Sequence, residues 1–182
     1  MQKIYITGPV GSGKSTLARR LAYVCGQTAY EMDNVIHKPN PDAPGSNMKR
    51  SVEERDALFA EILSQDAWIM EDTGRTLFEE AWRQADMIVL LVPPLRTRLF
   101  RIVTRWIKQN LGLESCEYKP NFWMLKIMFL WTKRFERGED NLLARLIPYQ
   151  NKVLRLRTNR EVDQFIKTCC EGGEHAIQHN SL

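Results

Sequence analysis

The stretch Lys3-Ile4-Tyr5-Ile6-Thr7-Gly8-Pro9-Val10-Gly11-Ser12-Gly13-Lys14-Ser15-Thr16 decides how this 182-residue chain is read. Ile4 to Thr7 is β-rich and predicts a short strand. Gly8 to Ser15 satisfies G-x-x-x-x-G-K-[ST], and Lys14 to Cys25 then sets Leu17, Leu21 and Val24 on one helical face. A strand, a glycine turn and a helix in that order make a phosphate cradle. The glycines let backbone N–H groups turn inward around phosphate oxygens, and the helix adds its positive dipole end. Lys14 is expected to reach the β- and γ-phosphates of ATP, and the Ser15 hydroxyl to complete a Mg²⁺ shell. Gly8, Pro9, Val10, Gly11, Ser12, Gly13, Lys14, Ser15 and Thr16 are therefore the expected nucleotide-binding residues.

Outward from this stretch, Thr28 to Met32 predicts a second strand that ends at Asp33. Asn34 to Met48, with Pro39, Pro41, Pro44 and Gly45, reads as an irregular loop. Ser51 and Glu54 signal a capping box, and Ala57, Leu58, Ile62 and Leu63 continue that helix. Trp68-Ile69-Met70 is a third strand, followed by a short helix through Leu77, Phe78 and Trp82. Met87 to Val92 is a continuous apolar run, suited to a strand buried on both faces of a parallel sheet. Helices are expected over Leu95–Leu111, Asn121–Arg134 and Asn141–Leu146, then a strand over Lys152–Leu156 and a helix over Arg160–Cys169. The alternation predicts an α/β chain, a five-stranded parallel sheet with helices on both faces. One domain over residues 1–170 and a polar tail over 171–182 are expected.

A phosphate cradle needs a carboxylate for its metal. Trp68-Ile69-Met70 ends in Glu71-Asp72, so Glu71 is the expected metal acid and Asp72 the spare. Asp33 ends another strand at the same sheet edge, where open α/β sheets build their sites. It is placed to bind the acceptor or to take its hydroxyl proton.

Charge is unevenly divided. Residues 1–95 carry ten Lys/Arg against thirteen Asp/Glu, residues 96–160 fifteen against five, and residues 161–182 one against four. The middle segment is thus +10 on a body of opposite sign, which points to an anionic ligand, a small-molecule phosphate or nucleic acid. Collagen, wholesale disorder and a disulfide mini-protein are excluded by composition. Four cysteines without C-x-x-C or zinc spacing predict reduced thiols. The longest apolar stretch, Phe122 to Trp131, is ten residues interrupted by Lys126, about half a bilayer span. A soluble cytoplasmic protein, monomer or homodimer, with no membrane partner, is expected. That stretch is apolar nearly all round, so it should be buried on several sides or packed on a partner.

On Gly8 to Thr16, on Tyr30-Glu31-Met32-Asp33 followed by Lys38-Pro39, on Trp68 to Glu71 and on Val153 to Phe165, the chain resembles the adenylate-kinase-like branch of the P-loop kinases. More narrowly it is similar to the DNA-topology-modulation (FlaR-related) proteins, over most of residues 1–167. Those relatives carry an aspartate-glycine pair where this chain has Glu71-Asp72. The resemblance implies the three-layer α/β/α sandwich of P-loop NTPases with a helical lid at about 96–150. It further implies ATP and Mg as cofactors and lid arginines over the transferring phosphoryl group. Arg98, Arg101 and Arg105 recur along one helix face, and Arg101 and Arg105 are the expected catalytic pair beside Lys14. The resemblance also places Arg75 near an acceptor phosphate and Arg157 in the turn that cups adenine. Three readings follow: a small-molecule phosphotransferase, an ATPase-type regulator binding nucleic acid through 96–160, and a nucleotide-binding module without turnover.

Overall fold

The computed structural model describes residues 2–43, 46–114 and 121–171. β1 (Lys3–Thr7) leads through the glycine turn into α1 (Lys14–Cys25), and β2 (Ala29–Glu31) runs straight into the short α2 (Met32–Ile36). A ribbon of β3 (His37–Pro39) and β4 (Asn47–Lys49) comes next, then α3 (Val52–Leu63), β5 (Trp68–Asp72), a 3₁₀ turn over Thr76–Phe78 and α4 (Glu79–Gln84). β6 (Met87–Leu91), α5 (Leu95–Asn110), α6 (Phe122–Glu136), α7 (Leu142–Leu146), a second 3₁₀ stretch (Ile147–Lys152), β7 (Val153–Leu156) and α8 (Asn159–Glu171) complete the chain.

Five strands form one parallel sheet in the order β2-β5-β1-β6-β7. Thr7 lies beside Asp72, and Glu31 beside Glu71. The register therefore brings the phosphate loop and all the strand-end acids to one edge. Because side chains alternate across a strand, the sheet buries two different surfaces. Tyr5, Met70, Ile88 and Leu90 face the layer of Phe78, Trp82, Ile62 and Leu142. Ile4, Ile6, Ile69 and Val89 face Leu17, Leu21 and Phe165 of α1 and α8. The expected α/β/α sandwich is present.

Residues 34–48 differ from the expected irregular loop. α2 takes up its first turn, and β3 pairs antiparallel with β4 through His37↔Lys49, Lys38↔Met48 and Pro39↔Asn47. Proline is tolerated there because Pro39 ends a two-stranded ribbon, where a missing N–H interrupts no central ladder. Asp33 accordingly sits in the first turn of α2, just past its strand. Of the two expectations for the apolar stretch in α6, burial on several sides is not met. Leu125, Thr132 and Phe135 are buried, while Phe122, Trp123, Leu130 and Trp131 stand in solvent. Its apolar excess is therefore not explained by the core. The tail beyond 171, including His175 and His179, and Cys116 lie outside the described residues.

Candidate active site

β1 delivers the chain to Gly8 with φ +145°, where an added Cβ would lie 2.2 Å from the Leu91 carbonyl of β6. Only glycine permits that approach. The loop closes with the Ser12 N–H donating to the Pro9 carbonyl at 3.2 Å. α1 then starts at left-handed Gly13 with no side-chain cap and no acid in its first turn. Its first N–H donors and positive dipole end face the loop without an internal partner. The Ser12 hydroxyl is buried with no hydrogen-bond partner among the described residues. An uncapped helix start and a buried orphan hydroxyl are what a phosphate ligand would satisfy.

Lys14 is buried and donates to the Pro9 carbonyl at 3.2 Å. Burial pulls its pKa below the usual lysine range, and Glu71, Asp72 and Asp33 pull it back. The Ser15 hydroxyl donates to Glu71 Oε1 at 2.7 Å. Burial raises the Glu71 carboxyl above its usual range, against Lys14 and the Ser15 hydrogen bond. A hydroxyl and a carboxylate in contact fit a hard divalent cation such as Mg²⁺, which takes oxygen ligands.

Asp72, expected as the spare metal acid, is committed elsewhere. Its Oδ2 accepts from the Gly74 N–H at 2.7 Å, the Arg75 N–H at 2.6 Å and the Tyr5 hydroxyl at 3.2 Å, and its Oδ1 pairs with Arg75. A carboxylate with its lone pairs so engaged orients a turn rather than offering an open ligand position. Arg75 reaches from Asp72 to Asp33, so one guanidinium joins the ends of two strands.

Arg101 also reaches the phosphate loop. It donates to the Ser12 carbonyl at 2.7 Å and to Asn159 Oδ1 at 2.7 Å, tying α5 to both the loop and the start of α8, just past the turn after β7. Arg157 lies exposed in that turn, its N–H donating to Glu161 at 2.5 Å. Arg105 is not brought to the site. It pairs with Glu114 at 3.2 Å and its side chain is 57% exposed. Arg98 is buried, its backbone carbonyl packed against Gly11 of the loop but its guanidinium turned elsewhere, bonded to the Pro93 carbonyl at 3.1 Å, paired with Glu136 and set 5.3 Å over Phe135. The helical repeat put three arginines on one face, but among them it is the guanidinium of the middle one that meets the loop.

One residue escaped the sequence reading. Arg145 of α7 donates to the Gly74 carbonyl at 2.7 Å and lies 4.6 Å over the Trp82 ring. Gly74, at φ +91°, allows this, since a Cβ there would lie 2.4 Å from Leu142 of the same helix. An arginine between the buried Leu142 and Leu146 was the available signal.

The fold recurs in solved structures. A shikimate kinase from Acinetobacter baumannii, crystallised with shikimate, is 18% identical with a TM-score of 0.52, covering 92% of this chain and 90% of its own. A gluconokinase from Sinorhizobium meliloti 1021 is 13% identical with a TM-score of 0.50, covering 92% and 88%. No curated protein matches the chain in sequence. The profile of the AAA domain family matches residues 4–119, more than half the chain. With the phosphate loop, the parallel sheet and that match in agreement, this chain has the P-loop NTPase fold and belongs to the AAA domain family.

Proposed function

We propose that the protein is a phosphotransferase that moves the γ-phosphoryl group of ATP to a hydroxyl of a small acceptor. The observation that supports it best is the pairing of two half-sites at one sheet edge. Gly8 to Ser15 form the donor cradle, and Asp33, Arg75 and Arg145 gather beside it around the Asp72–Gly74 turn. Asp33 is close enough to act electrostatically on Lys14. Of the solved structures named above, one is a shikimate kinase with shikimate bound and the other a gluconokinase, which is in keeping with a small hydroxylated acceptor.

In this reading the loop N–H groups and Lys14 hold the β- and γ-phosphates. Ser15 and Glu71 would hold Mg²⁺, which neutralises charge on the phosphates when bound. The acceptor oxygen forms its bond to the γ-phosphorus as the bond to the β–γ bridging oxygen breaks. The hydroxyl proton passes to Asp33, and ADP leaves with the bridging oxygen. Arg101, already at the loop, would stabilise charge on the transferring group. Arg75 and Arg145 present two guanidiniums for an anionic part of the acceptor. Arg157 keeps its proposed place near the adenine.

A regulator that binds nucleic acid, the narrower resemblance to the DNA-topology-modulation proteins, is the competing reading. Its basis, the +10 segment, is weakened by internal use of Arg98, Arg101, Arg105 and Arg145. The test is ADP release from Mg-ATP against a panel of hydroxylated acids, sugars, nucleosides and nucleotides. Acceptor-dependent release abolished by Lys14→Ala supports the kinase, and a panel without any response overturns it.

A further inference from the structure

Arg75 is held by two carboxylates that are not equivalent. Asp72 pairs with it from a fully buried side chain, which also accepts from the Tyr5 hydroxyl and from the N–H groups of Gly74 and Arg75. Asp33 pairs with it from the first turn of α2, with 59% of its side chain exposed. A buried carboxylate ringed by donors is costly to pull from its cation, whereas an exposed ion pair contributes little. One guanidinium thus has a fixed partner and an exchangeable one.

Charge decides what can take the exchangeable place. An oxyanion arriving for Asp33 leaves the charge around Arg75 unchanged, and the planar fork of the guanidinium suits carboxylate or phosphate oxygens. A neutral hydroxyl brings no charge and does not compete with a carboxylate for a guanidinium. Arg145 adds a second guanidinium at the same turn. Its Nη1 donates to the Gly74 carbonyl at 2.7 Å, while its buried Nη2 has no hydrogen-bond partner among the described residues and lies 4.0 Å from Glu79. Asp33 is also close enough to act electrostatically on Lys14, so a carboxylate that leaves Arg75 still lies beside the donor loop.

We infer that Asp33 is an internal stand-in for an oxyanion of the acceptor: the two exchange on Arg75, and Asp33 is free to take the acceptor's hydroxyl proton only after the exchange. Substrates are then hydroxyl compounds that carry a carboxylate or a phosphate, and neutral sugars or nucleosides leave Asp33 where it is. The fate of Asp33 rests on the phosphotransferase reading, but the exchange itself is a binding event that needs no turnover.

The test is calorimetric titration of the full chain with glycerate and with glycerol phosphate, beside glycerol as the neutral probe. All three are run with Mg-ADP present, and glycerate also without nucleotide, so the result stands whether or not the loop takes ADP. Asp33→Asn should tighten anion binding about fivefold, the effect of removing an exposed ion pair that competes for Arg75. Glu31→Gln removes a charge of the same sign from the same sheet edge, where it pairs with Arg19 at 3.5 Å, and should change binding by less than about twofold. On an Arg75→Lys background, which keeps a cation against Asp72 but loses the fork, the gain from Asp33→Asn should fall below about twofold. The anion with the larger gain identifies the oxyanion, and glycerol should respond to none of these changes. Unchanged or weaker anion binding in Asp33→Asn overturns the inference, and so does an equal gain from Glu31→Gln. Absence of binding by both anions to Asp33→Asn in the millimolar range overturns it as well. The expected gain without ADP release from any acceptor would uphold the exchange and overturn the phosphotransferase reading alone.

Discussion

The two halves of the proposed phosphotransfer site are built in opposite ways. The donor half is largely contiguous: eight residues from Gly8 to Ser15 supply turn, lysine and hydroxyl, with Glu71 and Arg101 brought in from elsewhere. The acceptor half is assembled from Asp33, the Asp72–Arg75 turn and Arg145, segments that meet only through the sheet register and α7. A local motif keeps its geometry through backbone constraint. A dispersed cluster keeps it through paired charges, so it should be more sensitive to loss of a partner.

The largest effect should come from the donor half. Lys14→Ala is expected to abolish the Mg-ATP rise in melting temperature, which for wild type at 100-fold over Kd corresponds to about 2.7 kcal/mol. Equal shifts in both proteins would remove the nucleotide from this loop.

Arg75→Ala should break the acceptor half in a different manner. It strips a buried Asp72 of its cation and costs about 1–3 kcal/mol of stability, while the ATP-induced shift persists. Acceptor-dependent turnover should fall on the order of 10²-fold. A variant as stable as wild type would show that the turn N–H groups and Tyr5 alone satisfy Asp72.

Arg101 and Arg105 sharpen the comparison within one helix. Arg101→Ala should lower turnover more than about tenfold with ATP affinity kept within a few-fold, since its contact strengthens mainly in the transition state. Arg105→Ala should stay within about twofold, as befits an exposed pair with Glu114. Equal losses would restore both to the site.

The smallest effect concerns stability and pH. Burial first of all raises Glu71, so folding favours its protonated form. A carboxyl raised on folding contributes stability that is whole below the ordinary glutamate range and lost as pH rises through the raised value. Glu71→Gln should therefore match wild type at about pH 4 and gain on it in melting temperature toward about pH 7, while slowing turnover. A gain largest at low pH would contradict burial as the cause.

Much of this was legible in residue order. The strand–loop–helix start, the apolar strand at Met87 to Leu91 and the acids ending Trp68 to Asp72 follow from local patterning and backbone preference, which act over a few residues. The division of labour between Glu71 and Asp72 did not. Two adjacent carboxylates point to opposite faces of a strand, and which one meets Ser15 depends on β1 lying beside β5. Likewise, a helical repeat aligned Arg98, Arg101 and Arg105, but the crowding of α6 buried the first, the loop captured the second and Glu114 held the third. Arg145 joined the site only because Gly74 leaves room for α7. Patterning is a one-dimensional property and sets which elements form. Long-range pairings, separated by 40 to 90 residues of chain here, are set by how those elements pack.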